Sequence, residues 1–258
     1  MTTESPTIQF LGAAGTVTGS RYLLTCGDTK VMIDCGLFQG LKELRLKNWS
    51  ELPVDPATID AVLLTHAHLD HCGYLPKLVQ EGFEGNIYAT EFTGKLADVI
   101  LRDSARIQEE DAAFAAKKKF SKHNPPLALY TENDAIKAIE QFAEIKFGVR
   151  TQIAEQTYAT YRPSGHILGA ATIEVEFFGK RLMFTGDLGR MEHALLVPRS
   201  DIPAGEFDAV LTESTYGNRE HVDATADFVE TIKRTIARGG SVLIPAFAVD
   251  RTEIILMT

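Results

Sequence analysis

Four side chains able to bind a metal fall within six residues of the stretch Thr65-His66-Ala67-His68-Leu69-Asp70-His71, directly after the apolar run Ala61-Val62-Leu63-Leu64. Imidazole and carboxylate together suit a borderline divalent cation such as zinc. In an extended segment side chains alternate, so His66 and His68 are expected on the same side. Asp70 and His71 follow where the chain turns into the next helix, and they can face the same pocket from below. Two adjacent ligand pairs, aimed differently, are what a two-metal site asks of one loop. The plain alternative is a polar loop with surface histidines, and four ligand types at this spacing count against it.

Further polar residues stand at strand ends or glycine-flanked turns. Asp34 closes the apolar run Lys30 to Asp34, just before Cys35-Gly36. His166 lies in Ser164-Gly165-His166-Ile167-Leu168-Gly169, and Asp187 in Thr185-Gly186-Asp187-Leu188-Gly189. Taken singly, a loop histidine is usually unremarkable and a Gly-Asp pair is usually a turn. Glu213 ends the apolar run Ala209-Val210-Leu211-Thr212-Glu213, expected as a buried strand. The loop Gly12 to Ser20 has the glycines of a phosphate cradle but no Walker lysine, and serves equally as a tight turn.

These residues need strands to carry them. Ile8 to Leu11 reads as a short strand, and Arg21 to Thr25 with Lys30 to Asp34 as a hairpin around Gly27-Asp28. Lys42 to Trp49 reads as a short helix or loop. Ile59 to Thr65 is the strand that delivers the histidines, followed by a helix over Gly73 to Glu81 capped by Gly82. Ile87 to Ala89 is a strand, Glu91 to Lys119 a long helix ending in three lysines, and Ser121 to Leu129 a loop. Thr131 opens another helix through a Thr-x-x-Asp capping pattern. Thr157 to Tyr161, Thr172 to Phe178 and Arg181 to Thr185 are strands, the last two joined at Gly179-Lys180. Asp223 to Arg238 is an amphipathic helix and Gly240 to Pro245 an apolar strand. This order implies a layered α/β fold with sheets packed between helices.

The chain of 258 residues is 45% hydrophobic and 24% charged, with a formal net charge of −9. That charge argues against nonspecific nucleic-acid binding by the surface as a whole, while bound divalent metals would offset the acids locally. Three scattered cysteines, Cys26, Cys35 and Cys72, make no disulfide framework and fit a reducing cytoplasm. Cys72, next to His71, reads as a buried thiol rather than a ligand. No signal peptide or membrane-spanning run stands out.

Asp34, the run His66 to His71, His166 and Asp187 together resemble the four motifs of the metallo-β-lactamase superfamily. Glu213-Ser214-Thr215-Tyr216-Gly217 and Leu243 to Val249, with the length of the Glu91 to Lys119 region, resemble its β-CASP branch of RNA- and DNA-processing nucleases. Within that branch the chain is similar to bacterial and archaeal ribonucleases related to the cleavage and polyadenylation endonuclease. The resemblance implies a four-layer αββα sandwich over residues 1 to 258. It implies one zinc on His66, His68 and His166 with Asp187 bridging, and a second on Asp70, His71 and Asp187. Asp34 would orient a ligand. Asp70 and Glu213 would be catalytic, and a metal-bridged hydroxide would cleave RNA phosphodiesters, single-stranded RNA being the expected substrate. Family members continue into a β-CASP cap and a return segment, which carry a histidine completing the second zinc and another paired with Glu213. This chain stops at Met257-Thr258, so the resemblance implies a truncated form or fragment with the second zinc one ligand short. Asp250 stands where many relatives have glycine. A homodimer is allowed, and no membrane partner is expected. Two other readings share the scaffold: a thioester or lactam hydrolase, and a catalytically incomplete metal-binding fragment or partner subunit.

Overall fold

Apolar residues in the first strands alternate between two buried faces, and this alternation sets the layers. In the computed structural model, which describes residues 4–118, 126–191, 193–220 and 225–257, β1 (Thr7–Phe10), β2 (Tyr22–Cys26) and β3 (Thr29–Ile33) form an antiparallel meander. Then β4 (Ala61–Leu63), β5 (Asn86–Ala89) and β6 (Phe142–Glu144) continue the sheet in parallel, in the order β1-β2-β3-β4-β5-β6. Parallel strands are covered on both faces. Accordingly β4 is wholly buried.

One face of this sheet, with Met32, Val62 and Ile87, packs against helices. These are α2 (Leu69–Cys72), α3 (Leu75–Gln80), α4 (Glu91–Lys118) and α5 (Glu132–Glu140), with Leu75, Leu78, Leu101 and Ala135 fully buried in the shared core, while the short α1 (Lys42–Leu46) buries no residue. The other face, with Leu24, Val31, Ile33 and Leu63, packs against a second sheet. That sheet has the order β11-β10-β9-β8-β7, from β7 (Thr151–Ala154), β8 (Thr157–Pro163), β9 (Ala171–Phe177), β10 (Lys180–Phe184) and β11 (Ala209–Leu211). Tyr161 of β8 is fully buried between the sheets and donates its hydroxyl to the Tyr88 carbonyl of β5 at 3.0 Å. Helices α6 (Thr225–Ala237) and α7 (Arg251–Met257) follow, with Thr235 the buried residue of α6. Helices, first sheet and second sheet thus stack as layers of the expected α/β sandwich.

Several local expectations hold in detail. Thr131 caps α5 through a complete capping box with Asp134, and Gly27 turns the first hairpin at φ 60°. Others change. The helix expected over Gly73 to Glu81 is α3, Leu75–Gln80, and a separate short helix, α2, precedes it, so Asp70 and His71 lie in α2 itself. β11 is an edge strand with Val210 54% exposed, because it pairs with β10 alone. Gly240 to Pro245 forms no strand, and Leu243 is 95% exposed. A strand needs a neighbour's hydrogen bonds, and β11 does not receive them from this segment. β6 and β7 stand where the sequence reading places no strand, and β6 follows α5 after a single residue. Lys119, Ser121 to Pro125 and Asp223 to Ala224 lie outside the described residues. Among the described residues no helix is long and apolar enough to cross a membrane.

Candidate metal centre

The parallel pairing of β3 with β4, and of β10 with β11, brings the C-terminal ends of those strands to one side of the sandwich. Asp34 follows β3, Thr65 to His68 follow β4, Asp187 follows β10 and Glu213 follows β11. His166 enters from the loop after β8. Two glycines allow the loops to meet. A Cβ on Gly36 would collide with the Asp70 carbonyl, and one on Gly186 (φ 53°) would press on Thr65.

His66, His68, His166 and Asp187 each offer one ligand atom, and these atoms all lie within 4.8 Å of one another. His68 Nδ1 sits 3.1 Å from both His66 Nε2 and His166 Nε2. Asp187 Oδ2 lies 3.4 Å from His166 Nε2 and 3.8 Å from His66 Nε2. Its other oxygen, Oδ1, faces His71 Nε2 at 3.3 Å. Asp70 Oδ2 stands 4.0 Å from that same nitrogen. The carboxylate of Asp187 therefore has one oxygen in each of two adjoining ligand groups. The first holds the three other residues of the close cluster; the second holds Asp70 and His71.

Beneath them Asp34, 1% exposed, is held in the left-handed region at φ 55°. It accepts hydrogen bonds from the Thr65 amide at 2.8 Å, the Thr65 hydroxyl at 2.9 Å and His71 Nδ1 at 2.7 Å. With Nδ1 protonated towards Asp34, His71 presents Nε2 to the pocket. Thr65 is a site residue that sequence reasoning left without a role. Its hydroxyl also lies 3.0 Å from His66 Nδ1. The available signal was a hydroxyl residue ending a fully buried strand, directly before the ligands.

The electrostatics favour a cation. Burial holds the His66 pKa well below its ordinary value and lowers that of His68. Burial likewise brings His166 down to about 4, against the opposing charge of Asp187. Neutral imidazoles are what a metal requires. Burial raises the Asp70 pKa, though His71 opposes it. For His71, burial acts to lower the pKa, but Asp34 and Asp187 outweigh it and hold it well above the ordinary value. Three imidazole lone pairs and one shared carboxylate converging at these distances, with the ring orientation of His71 set from behind, fit a divalent metal.

A cleft of about 330 Å³ reaches this site from the Asp70 and His71 side, lined also by Asp187, Glu213, Tyr22 and Thr16. The Gly12 to Ser20 loop is thus one of its walls. Glu213 Oε1 accepts the Leu188 amide at 2.7 Å, tying β11 to the turn that carries Asp187. Burial raises its pKa. Every residue singled out from sequence therefore gathers here. Cys72 does not: its thiol donates to the Ala67 carbonyl at 3.4 Å within the apolar core.

Known proteins resemble this chain in sequence. The chain is 37% identical over 248 residues to Ribonuclease TTHA0252 of Thermus thermophilus, covering 95% of this chain and 52% of that protein. It is 30% identical over 258 residues to Transcription termination factor FttA of Methanocaldococcus jannaschii, covering 97% and 38%. It is 31% identical over 260 residues to Cleavage and polyadenylation specificity factor 73 of Drosophila melanogaster, covering 98% and 36%. The chain thus spans about half the length of these relatives or less. The profile of the family described as the Metallo-beta-lactamase superfamily matches residues 14–228, the stretch that contains every residue of the metal centre. The chain belongs to the metallo-beta-lactamase superfamily.

Proposed function

We propose that this chain is the metal-binding core of a zinc-dependent ribonuclease of the β-CASP branch, acting on single-stranded RNA. The observation that carries the reading is the division of Asp187 between two ligand groups, Oδ2 towards His66 and His166 and Oδ1 towards His71. A shared carboxylate between adjoining nitrogen and oxygen donors suits a two-metal site. Bound zinc would supply an activated water near neutral pH and would neutralise charge on phosphoryl oxygens.

The chain's own residues supply the rest. His66, His68 and His166 would hold one zinc with Asp187, and Asp70 and His71 the second with the same carboxylate. Asp34 keeps His71 in the tautomer that offers Nε2. Asp70, which lines the cleft, would hold the attacking water by a hydrogen bond as well as ligating. Glu213 fixes the turn after Asp187 through Oε1 and would act on the leaving-group side. The relatives named a ribonuclease and a cleavage and polyadenylation specificity factor support RNA as the substrate class. Three buried free cysteines are compatible with a reducing cytoplasm.

The test is cleavage of single-stranded RNA by the zinc-loaded chain beside an Asp70→Ala control, with metal content measured for both. Cleavage that is lost in the control supports the assignment. Equal cleavage by the two proteins sinks it.

A further inference from the structure

An aromatic ring stands beside the metal centre without being buried by it. Phe247 is 79% exposed, yet its ring lies 6.1 Å from that of His68, at an interplanar angle of 39°. A single exposed phenylalanine needs no explanation by itself. This one is held in place from both sides. The Thr252 hydroxyl donates to the Phe247 carbonyl at 2.7 Å, which fixes its backbone against the start of α7. Three residues on, Asp250 occupies the left-handed region at φ 71°, and its Oδ1 lies 2.9 Å from His193 Nε2. His193 Nδ1 accepts the Leu195 amide at 3.1 Å, so the ring's proton sits on Nε2, facing Asp250. The contact is one of charge and proximity rather than an aligned hydrogen bond, since Asp250 Oδ1 has no hydrogen-bond partner. His193 belongs to the loop that follows Asp187. The clasp therefore joins the turn bearing Phe247 to the same segment that supplies the shared carboxylate.

We propose that Phe247 is a substrate-positioning residue, a stacking platform for one nucleobase of an RNA strand whose phosphate lies at the metal centre. The proposal rests on the ribonuclease reading and adds to it the base contact that registers the strand. A free aromatic face accepts any base, because every base has a π face, so the platform sets position without reading sequence. The His193–Asp250 clasp keeps the ring at a constant distance from His68, so the stacked base fixes which phosphate reaches the ligands.

The test is binding of fluorescently labelled single-stranded RNA to the zinc-loaded chain, read by anisotropy, with a single abasic position walked along the RNA. In the wild type one abasic position weakens binding by roughly 5- to 150-fold, the worth of one stacked base. Phe247→Ala loses that factor on intact RNA and is indifferent to the same abasic position. Phe247→Trp restores both the affinity and the sensitivity; Phe247→Leu, apolar without a π face, does not. An identical abasic profile in the wild type and Phe247→Ala overturns the proposal while leaving the ribonuclease reading intact. Absence of RNA binding by the wild type itself overturns both.

Discussion

Asp34 Oδ2 accepts the Nδ1 proton of His71 at 2.7 Å, and this one bond turns the opposite nitrogen of His71 to within 3.3 Å of Asp187. The two residues are separated by 37 positions, and the parallel pairing of β3 with β4 brings them together. The same carboxylate also takes the amide and hydroxyl of Thr65, so it organises the ligand loop from behind.

Removing it should be costly in two ways. Asp34→Ala strands the buried Thr65 and His71 donors and loses a residue type that tolerates a positive φ. The expected loss is about 3–5 kcal/mol of stability, measured by chemical unfolding. Asp34→Asn keeps the backbone preference but not the full set of acceptors. It should fold, with zinc affinity reduced roughly 10- to 100-fold by competition with a chromophoric chelator. Unchanged zinc affinity in the asparagine variant would show that His71 needs no such support.

Asp187 makes a second prediction, because its oxygens face different ligand groups. His166→Ala should weaken one class of zinc site, whereas Asp187→Ala should weaken both. Native mass spectrometry during zinc titration separates these outcomes. If Asp187→Ala weakened no more than the histidine variant does, the carboxylate would not be shared.

Much of this centre was readable beforehand, for a physical reason. Ligand chemistry is carried by few residue types, and strand ends before glycines are where a sheet exposes them. Asp70 and His71, expected at a helix entrance, lie within the short helix α2. Less legible was whatever depends on pairing across the fold. Gly240 to Pro245 has the composition of a strand, but composition does not supply the neighbour that would make it one. The division of Asp187 between two groups and the Phe247 contact with His68 depend on side-chain directions that no local pattern encodes. Thr65 was visible as a letter, yet its role emerges only once Asp34 is beneath it.

The histidines predict how the metal-free chain responds to acid. His66, His68 and His166 have lowered pKa values, chiefly through burial, with His166 near 4. In the unfolded chain each would take a proton near pH 6.5. Between those values the unfolded state binds more protons, so their contribution to stability is present above pH 6.5 and lost as pH falls towards 4. His71 acts oppositely: its pKa is raised, so its contribution is present below pH 6.5 and lost as pH rises through the folded value. In a His71→Gln variant, which removes the opposing histidine, the urea midpoint of metal-free protein should fall from pH 7 to pH 4.5. Added zinc, which needs neutral imidazoles, should raise that midpoint more at pH 7 than at pH 5. A midpoint that rose on acidification would contradict the buried, neutral state of the three histidines.

The cysteines give the last prediction, and it bears on whether the ligand set is complete as assigned. Cys26, Cys35 and Cys72 are all free and buried. Burial pushes the Cys35 thiol up to about 12 and the Cys72 thiol well above its ordinary value. The thiolate is the reactive and metal-binding form, so neither group offers one at neutral pH. Cys72 also spends its proton on the Ala67 carbonyl and points into the core beside α3 rather than towards His71. A thiol reagent should thus label the native chain slowly and all three positions rapidly in denaturant. Cys72→Ala should lower stability by about 1 kcal/mol through lost packing. Its zinc stoichiometry and affinity should match the wild type. A Cys72→Ala variant with one zinc fewer would place sulfur in the coordination sphere and require the Asp70 and His71 group to be redrawn.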